Sequence, residues 1–582
     1  MRKTTRRRRN KNNPSQQLFA IVAILLFFGI WNSLFPPPPP VAPKKQTGDV
    51  ELSDLTVKQI ADRARDQGQE TPLKISTAPI EVTTQLKPAV AVHTLSDPDR
   101  FEAVINSHGD IHAWSILEHQ YRRKINETES APYLLTTHQP QFTKDQELSA
   151  PFLSPIIQVR INKKLVQGDY EVSPGTSPDQ INLTLRTPQI EIKRSFKLIQ
   201  GAYRILSDVQ VKNLTSGSLH IEIRGISRAL QSAGASEAGM FTPPLNLLES
   251  VCAYGTEFER DGVLSLQSKI EDKELTQFNN ARWYGVDGRY FMTALSTTYP
   301  TSCAQVSDAK RLMLNRPLPE GYSPLSTESV LYADFVETNQ TVSRKASFYG
   351  GPKKIELLKA AEPELSQAID FGIFSPICLP MLWAMGFFFS FISNWGVAII
   401  LLTVLVKLIT LPLTLKQYKS MAAMKAIQPE LAVLKEECGD DKMRLQQETM
   451  ALYKKHNVNP LSGCLPMLVM MPIYFALYRT IYSAVELYQA PFIGWLNDLS
   501  MPDPYFITPV LLAILMLLQS RLQPTNSSMD PAQRKMLTVF MPLFFGAMML
   551  FLPSALVLYI LVNTVLGLFQ QQWSQRQMEA TS

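Results

Sequence analysis

The stretch Trp395–Leu415 is apolar apart from one charge, Lys407, and two small polar residues, Thr403 and Thr410. A backbone in lipid must satisfy its own polar groups, so such a run is read as a membrane helix. At ~1.5 Å per residue, ~20 residues cross the ~30 Å hydrocarbon layer. A lysine near the centre costs ~2.5–3.5 kcal/mol on insertion scales. Snorkelling to an interface is the usual relief. It is awkward here, because helical side chains lean toward the helix N-terminus, which on the topology below is the outer end, away from the cytoplasm and from Lys416. No Asp or Glu lies in the core of any other apolar run, and Glu486 sits at an outer end. A buried ion pair therefore lacks its acid. The sharper expectation is a water-filled pocket that keeps the ammonium solvated and draws in acidic or polar peptide segments.

The rest of the chain sets the topology. Hydrophobic residues make up 45% and charged ones 19%, which averages to a soluble composition, yet the apolar residues concentrate near the N-terminus and after Phe371. Residues 1–17 are basic (Arg2, Lys3, Arg6 to Arg9, Lys11) and abut an apolar run at 18–35 with no small-x-small cleavage pattern. That is the pattern of an uncleaved signal anchor with its basic side in the cytoplasm, and it disfavours nucleic-acid binding by the tail. After 395–415 come apolar runs at 461–482, 505–519, 536–552 and 555–570, the last two meeting at Pro553-Ser554. With the anchor these make six transmembrane helices and leave a tail at 573–582. The polar segment 416–459 reads as an amphipathic helical hairpin, with Gly439 as its break and Asp440-Asp441 as a cap. It and the loop with Arg521, Arg534 and Lys535 face the cytoplasm, and the loop with Asp498 and Asp503 faces out, as the positive-inside rule requires. Phe371 to Ile392 is apolar but holds Pro376, Pro380 and many aromatics, so 353–393 is read as a connector ending in an interfacial helix. If it spanned, the basic hairpin would face outward.

Residues 36–67 form a proline-rich, polar linker. Within 68–352, Ile181, Leu183 and Leu185 alternate with Asn182, Thr184 and Arg186. Leu219, Ile221 and Ile223 likewise alternate with His220, Glu222 and Arg224. Period two puts one face on a core and the other in water. With turn signals such as Pro174-Gly175 and Ser216-Gly217, this predicts a large antiparallel β-sandwich outside the membrane. Cys252 and Cys303 both fall in it, and a disulfide and two free thiols are equally compatible with the sequence. His108 and His112 have loosely ligand-like spacing but no convincing third ligand, so no metal site is expected. No catalytic constellation and no nucleotide-binding loop occurs.

In the last third, short motifs succeed one another: Asn394-Trp395-Gly396, Leu411-Pro412-Leu413-Thr414, Gln428-Pro429, Gly439-Asp440-Asp441-Lys442, and Met450 to Lys454 (MALYK). Then come Asn459 to Pro466 (NPLSGCLP), Met471-Pro472-Ile473, Ala476-Leu477-Tyr478, Gln489 to Phe492 (QAPF), Asp498-Leu499-Ser500, and Pro553 to Tyr559 (PSALVLY). In this order they resemble the YidC-type membrane protein insertases of Gram-negative bacteria, strongly from about Phe371 to Gln572 and less specifically over the anchor and outer domain. The resemblance implies a chain in the inner membrane with a periplasmic β-sandwich, both termini in the cytoplasm and an insertase core at 394–572. It implies a hydrophilic groove open to cytoplasm and lipid, which recruits the polar tail of a nascent membrane protein while its apolar segment slides along the third and fifth spans. On that reading the groove residues are Lys407, Thr403, Thr410, Gln519 and Tyr559. The slide residues are Met467, Met470, Met471, Met541, Phe544 and Met548, methionine suiting varied apolar partners. The implied partners are nascent membrane proteins, ribosome-nascent chains met by the hairpin and loops, membrane lipids, and the Sec translocon, beside which the family works or without it. No cofactor, nucleotide hydrolysis or enzymatic activity is implied. The family usually carries arginine at the position of Lys407; a lysine keeps its charge only in a wet groove. The competing reading is a secondary transporter, which would show internal repeats and membrane-buried carboxylates; neither is found. A membrane enzyme would need a catalytic set in the spans, and His456 has no visible partner.

Overall fold

The computed structural model describes residues 89–581 except 125–129, 140–149, 151, 233–246, 255–256, 272–276, 309–317, 319–320, 440, 457–459 and 523–534; within helices, the side chains of 460–470 are also outside the description. The anchor at 18–35 and the linker at 36–67 lie outside the described residues. What is described is a β-rich domain followed by a helical bundle.

The β domain is one continuous 17-stranded network rather than two separate sheets. All its pairings are antiparallel except that of Tyr133–Thr137 with Phe152–Ile161. Two layers join through the long strand Phe291–Val306. Its first half pairs with Thr341–Pro352 and its second half with Tyr322–Val336. Strands that switch layers in this way make the corners of a closed sandwich. Between the layers, the Trp114 ring leaves no room for a side chain at Gly350, and Phe101 stacks between Trp114 and Tyr203 at 4.8 and 5.6 Å. Ile181, Leu183 and Leu185 face this core. The second alternating strand departs from its expectation. Leu219–Ser232 is paired on both edges, and Glu222 and Arg224 are buried rather than solvated. The two ion-pair with each other, and Arg224 lies 3.6 Å from Glu328, so a charged set occupies the second face. Cys252 and Cys303 form a disulfide, fully buried, that ties Glu249–Tyr254 to Phe291–Val306.

The helices after Pro352 include α1 (Ser375–Ile392), α2 (Trp395–Ala426), α3 (Gln428–Cys438), α4 (Lys442–Lys455), α5 (Pro460–Ser483), α6 (Ile507–Leu522), α7 (Met541–Met549) and α8 (Ser554–Thr581). Among the described residues, three stretches are long and apolar enough to cross a membrane: Gly372–Ile392, Trp395–Ser420 and Ser554–Gln577. Two apolar helices are shorter, Ile507–Arg521 and Met536–Met549. The described helices therefore do not reproduce a count of six, and Gly372–Ile392, expected to be interfacial, has the length and composition of a span. Its contacts bear on this. Phe374 stacks near Phe475 and the Cys378 thiol donates to the Ala476 carbonyl, both in the outer part of α5, while Phe389 stacks 4.0 Å from Trp395 at the start of α2. Both ends of α1 thus meet the outer ends of its neighbours.

Asn394 accepts from the Val397 amide and donates to the Phe492 carbonyl at 2.9 Å, which starts α2 and pins the loop beside it. Gly396 is needed there because the Phe492 ring occupies the space of a Cβ. α2 then runs unbroken past Leu415 to Ala426, so the first part of 416–459 is a continuation of the spanning helix. α3 and α4 form the hairpin proper, with Asp441 capping α4 through the Arg444 amide.

α5 ends in the β domain. Val485 belongs to that domain's core. The Tyr488 ring sits among Phe291, Tyr290, Tyr133 and Tyr121 at 5.2 to 6.4 Å. Arg289 lies 3.8 Å over the Tyr482 ring and donates to its carbonyl, and Gln120 donates to the Glu486 carbonyl. Burial pushes the Glu486 carboxyl above its ordinary value of 4.5. The folded state then holds the extra proton between that value and the raised one. Stability rises as pH falls through the folded pKa and levels off below 4.5, with the sign set by proton uptake on folding. Glu486→Gln is expected to flatten this slope, which melting curves between about pH 4 and pH 8 would read.

Candidate functional site

The bundle is an open arc. α5 packs on α2, α2 on α8, α8 on α6 and α6 on α7, whereas among the described residues α5 and α7 form no extended contact with each other. The gap between these two flanks is backed by α2 and α8. Thr403, Lys407, Thr410 and Thr414 recur at helical spacing and share one face of α2. The threonine hydroxyls donate to carbonyls of their own helix, Thr403 to Ile399 at 2.7 Å and Thr410 to Val406 at 2.8 Å. Their donors are satisfied locally, and only oxygen lone pairs are offered outward.

Lys407 is half-buried and crosses to α8. A methyl group on Gly567 would lie 3.6 Å from the ammonium nitrogen and 3.8 Å from the Gln519 amide nitrogen of α6. Gly567 thus leaves a space that Lys407 and Gln519 both border. Its carbonyl accepts from the Tyr418 hydroxyl at 3.3 Å. Tyr418 is roughly three turns, ~16 Å, beyond Lys407 on the same helix, so the Lys407 ammonium and the Tyr418 hydroxyl both approach the same residue of α8. None of the ion pairs among the described residues involves Lys407.

Tyr559 is buried on α8, about two turns outward of Gly567. Its hydroxyl has no hydrogen-bond partner among the described residues. Leaving such a group unmet costs about 1–3 kcal/mol, so it is a place for water or an incoming polar group. Tyr474 of α5 faces the Asn563 side chain on α8. The expected groove residues thus fall on three adjoining helices. Lys407 and Gln519 border the same space at Gly567, Thr403 lies one turn outward, and Tyr559 is further out. Gly567, Tyr418, Tyr474 and Asn563 were missed; a glycine facing a lone lysine has no sequence signature, though the tyrosines flanking polar residues in apolar runs were a usable signal.

The expected slide residues divide between the two flanks. Met471 is half-buried on α5, and Met467 and Met470 lie outside the described residues. On α7, Met541 is half-buried, Met548 packs against the bundle core, and Phe544 is 51% exposed beside Phe540. Met471 and Phe544 sit on different helices, α5 and α7.

Comparison with known families is decisive. A family profile described as YidC periplasmic domain matches residues 97–384, and one described as 60Kd inner membrane protein matches residues 378–581. The chain belongs to the YidC family. A protein described as membrane protein insertase YidC from Shewanella piezotolerans is 35% identical over 63% of this chain and 64% of its own length. Another of that description from Marinobacter nauticus is 46% identical over 43% of each. The match spans less than two thirds of either YidC relative. A solved structure described as an active YidC insertase with the first transmembrane domain resolved covers 89% of this chain and 99% of its own, at 16% identity and a TM-score of 0.34. The chain is thus a YidC-type membrane protein with a periplasmic β-rich domain and apolar C-terminal helices.

Proposed function

We propose that this protein inserts other proteins into the inner membrane and helps them fold there. The observation that carries the reading is the Lys407 ammonium, set beside Gln519 at Gly567, in an arc of apolar helices that holds no carboxylate in its spans. A charge so placed attracts the polar or acidic tail of a client and lowers the barrier to bringing that tail partway into the bilayer. The unmet Tyr559 hydroxyl offers a second polar contact on the way. Clients' apolar segments pass along the flanks, Met471 (with Met467 and Met470) on α5 and Met541, Phe544 and Met548 on α7, and leave sideways through the gap. Membership of the family supports the activity, and membrane insertion by this route consumes no nucleotide. The spans number six, with both termini in the cytoplasm. α1 lies in the outer interface, a placement supported by its contacts with the outer ends of α2 and α5. The hairpin α3–α4 faces the cytoplasm, where it meets ribosome-nascent chains, and the protein works alone or beside the Sec translocon. The secondary-transporter reading has no observation in its favour.

The test is reconstitution of the full chain in lipid vesicles, challenged with a purified single-span client without nucleotide. Protease-protected client is expected well above that in empty vesicles. Equal protection in both would overturn the reading.

A further inference from the structure

Two arginines stand at the outer end of α5 without an acid. Arg479 lies on α5 itself and is exposed, whereas Arg289 comes from the β domain and is half-buried. None of the ion pairs among the described residues involves either. Arg479 reaches the chain that enters α1, and there it meets a carbonyl rather than a carboxylate. Its Nη1 donates to the Asp370 backbone oxygen at 3.3 Å, while the Asp370 carboxylate accepts from the Gly372 amide at 2.7 Å. Arg289 spends its Nε on the Tyr482 carbonyl at 2.9 Å and its flat face on the Tyr482 ring. Its Nη2 has no hydrogen-bond partner among the described residues, and an unmet buried donor is costly.

The two guanidiniums belong to one surface. Tyr478 and Tyr482 stack on successive turns of α5 with ring centres 5.9 Å apart. Arg289 covers Tyr482, Arg479 follows Tyr478 in the chain, and the Tyr478 hydroxyl lies in the field of both charges. Every group offered is a cationic or neutral donor, so the complementary ligand is an anion rich in acceptors. The guanidinium fork matches phosphate oxygens in particular. α5 ends at Ser483, and Val485 already belongs to the core of the β domain. On the topology proposed above, this places the surface where outer-leaflet headgroups meet hydrocarbon, the depth at which tyrosines collect. The bias of basic residues toward the cytoplasmic side disfavours arginine at an outer boundary. A pair kept there without acids points to an anion that the bilayer itself supplies.

We propose that Arg289 and Arg479, with the Tyr478 hydroxyl beside them, bind the phosphate of an outer-leaflet phospholipid. The lipid bridges the β domain and α5 from the bilayer side and fixes the depth at which the outer domain rests. This inference rests on the proposed topology and is independent of the insertase activity.

The test is native mass spectrometry of the full chain in an uncharged detergent. The probes are dioleoyl phosphatidylglycerol, dioleoyl glycerol and inorganic phosphate. A single phosphatidylglycerol is expected to stay bound where dioleoyl glycerol, with the same chains and no phosphate, does not. Arg479→Gln should weaken that binding about tenfold, roughly the loss of one charge-assisted hydrogen bond. Arg289→Gln should weaken it at least as much, but Arg289 also helps to hold α5 on the β domain. The Arg479 variant, which leaves the Tyr488 seat untouched, therefore decides. Equal retention of the two lipids, or wild-type binding in Arg479→Gln, overturns the site. Displacement of the lipid by an equal concentration of inorganic phosphate marks a free-phosphate site and overturns the lipid assignment. Topology is read separately, with a membrane-impermeant maleimide on Ile493→Cys, an exposed position in the loop after α5. Labelling in intact spheroplasts is expected; labelling only after the membrane is breached overturns the outer-leaflet placement.

Discussion

Replacing Lys407 by leucine is expected to make the bundle more stable and the protein unable to insert its clients. A lysine near the middle of a membrane helix costs ~2.5–3.5 kcal/mol on insertion scales, and none of the ion pairs among the described residues returns any of it. Removing the ammonium should therefore raise stability by about 2 kcal/mol, read as a higher melting temperature in detergent. Gln519 keeps the company of Gly567 in the variant, so the packing should survive. Insertion should fall to the level of empty vesicles in Lys407→Leu and Lys407→Glu, and remain near wild type in Lys407→Arg, which keeps the positive charge. A structural lysine predicts the opposite pair of results, namely lower stability with insertion falling only in proportion to folded protein. The two measurements together distinguish a stabilising charge from one retained for work.

Opening the Cys252–Cys303 bond should have the second large effect, confined to the β domain. The bond closes a loop with a sequence separation of 51. Releasing that constraint restores conformational freedom to the unfolded chain, worth about 4 kcal/mol on the chain-entropy estimate. Cys303→Ala in the full chain should lower the melting transition of the β domain by roughly 8–16 °C, at 2–4 °C per kcal/mol for a domain of this size. The transition of the helical bundle should move less. Both sulfurs are buried, so a reductant added to the folded protein should act slowly and become effective only as the domain opens. A melting temperature within a few degrees of wild type would show that the bond closes a loop already closed by other contacts.

Some of this structure could be read from residue patterns and some could not, for identifiable reasons. Ile181, Leu183 and Leu185 announced their strand because its two faces differ. Glu222 and Arg224 misled because the same alternation was read as one wet face, whereas pairing on both edges puts their strand in the middle of the sheet and an ion-paired set covers its second face. Lys407 stood out because a charge in an apolar run is expensive wherever it points. Its surroundings were not legible, since they depend on Gly567 leaving a space on another helix. The disulfide was undecided because spacing alone does not say whether two cysteines on different strands meet. The docking of α5 was hidden for a plainer reason: Gln120 and Glu486 are 366 positions apart, and the aromatic residues that enclose Tyr488 are scattered over several strands.

The seat of Tyr488 among four rings has a mechanical meaning. Of the two flanks of the gap, α5 is bolted to the bulky outer domain, which acts as a stator, while α7 packs chiefly on α6. On the proposed client route, displacement across the opening is one-sided: the α5 jamb stays in register with the outer domain, and the room for clients of different girth comes from α7.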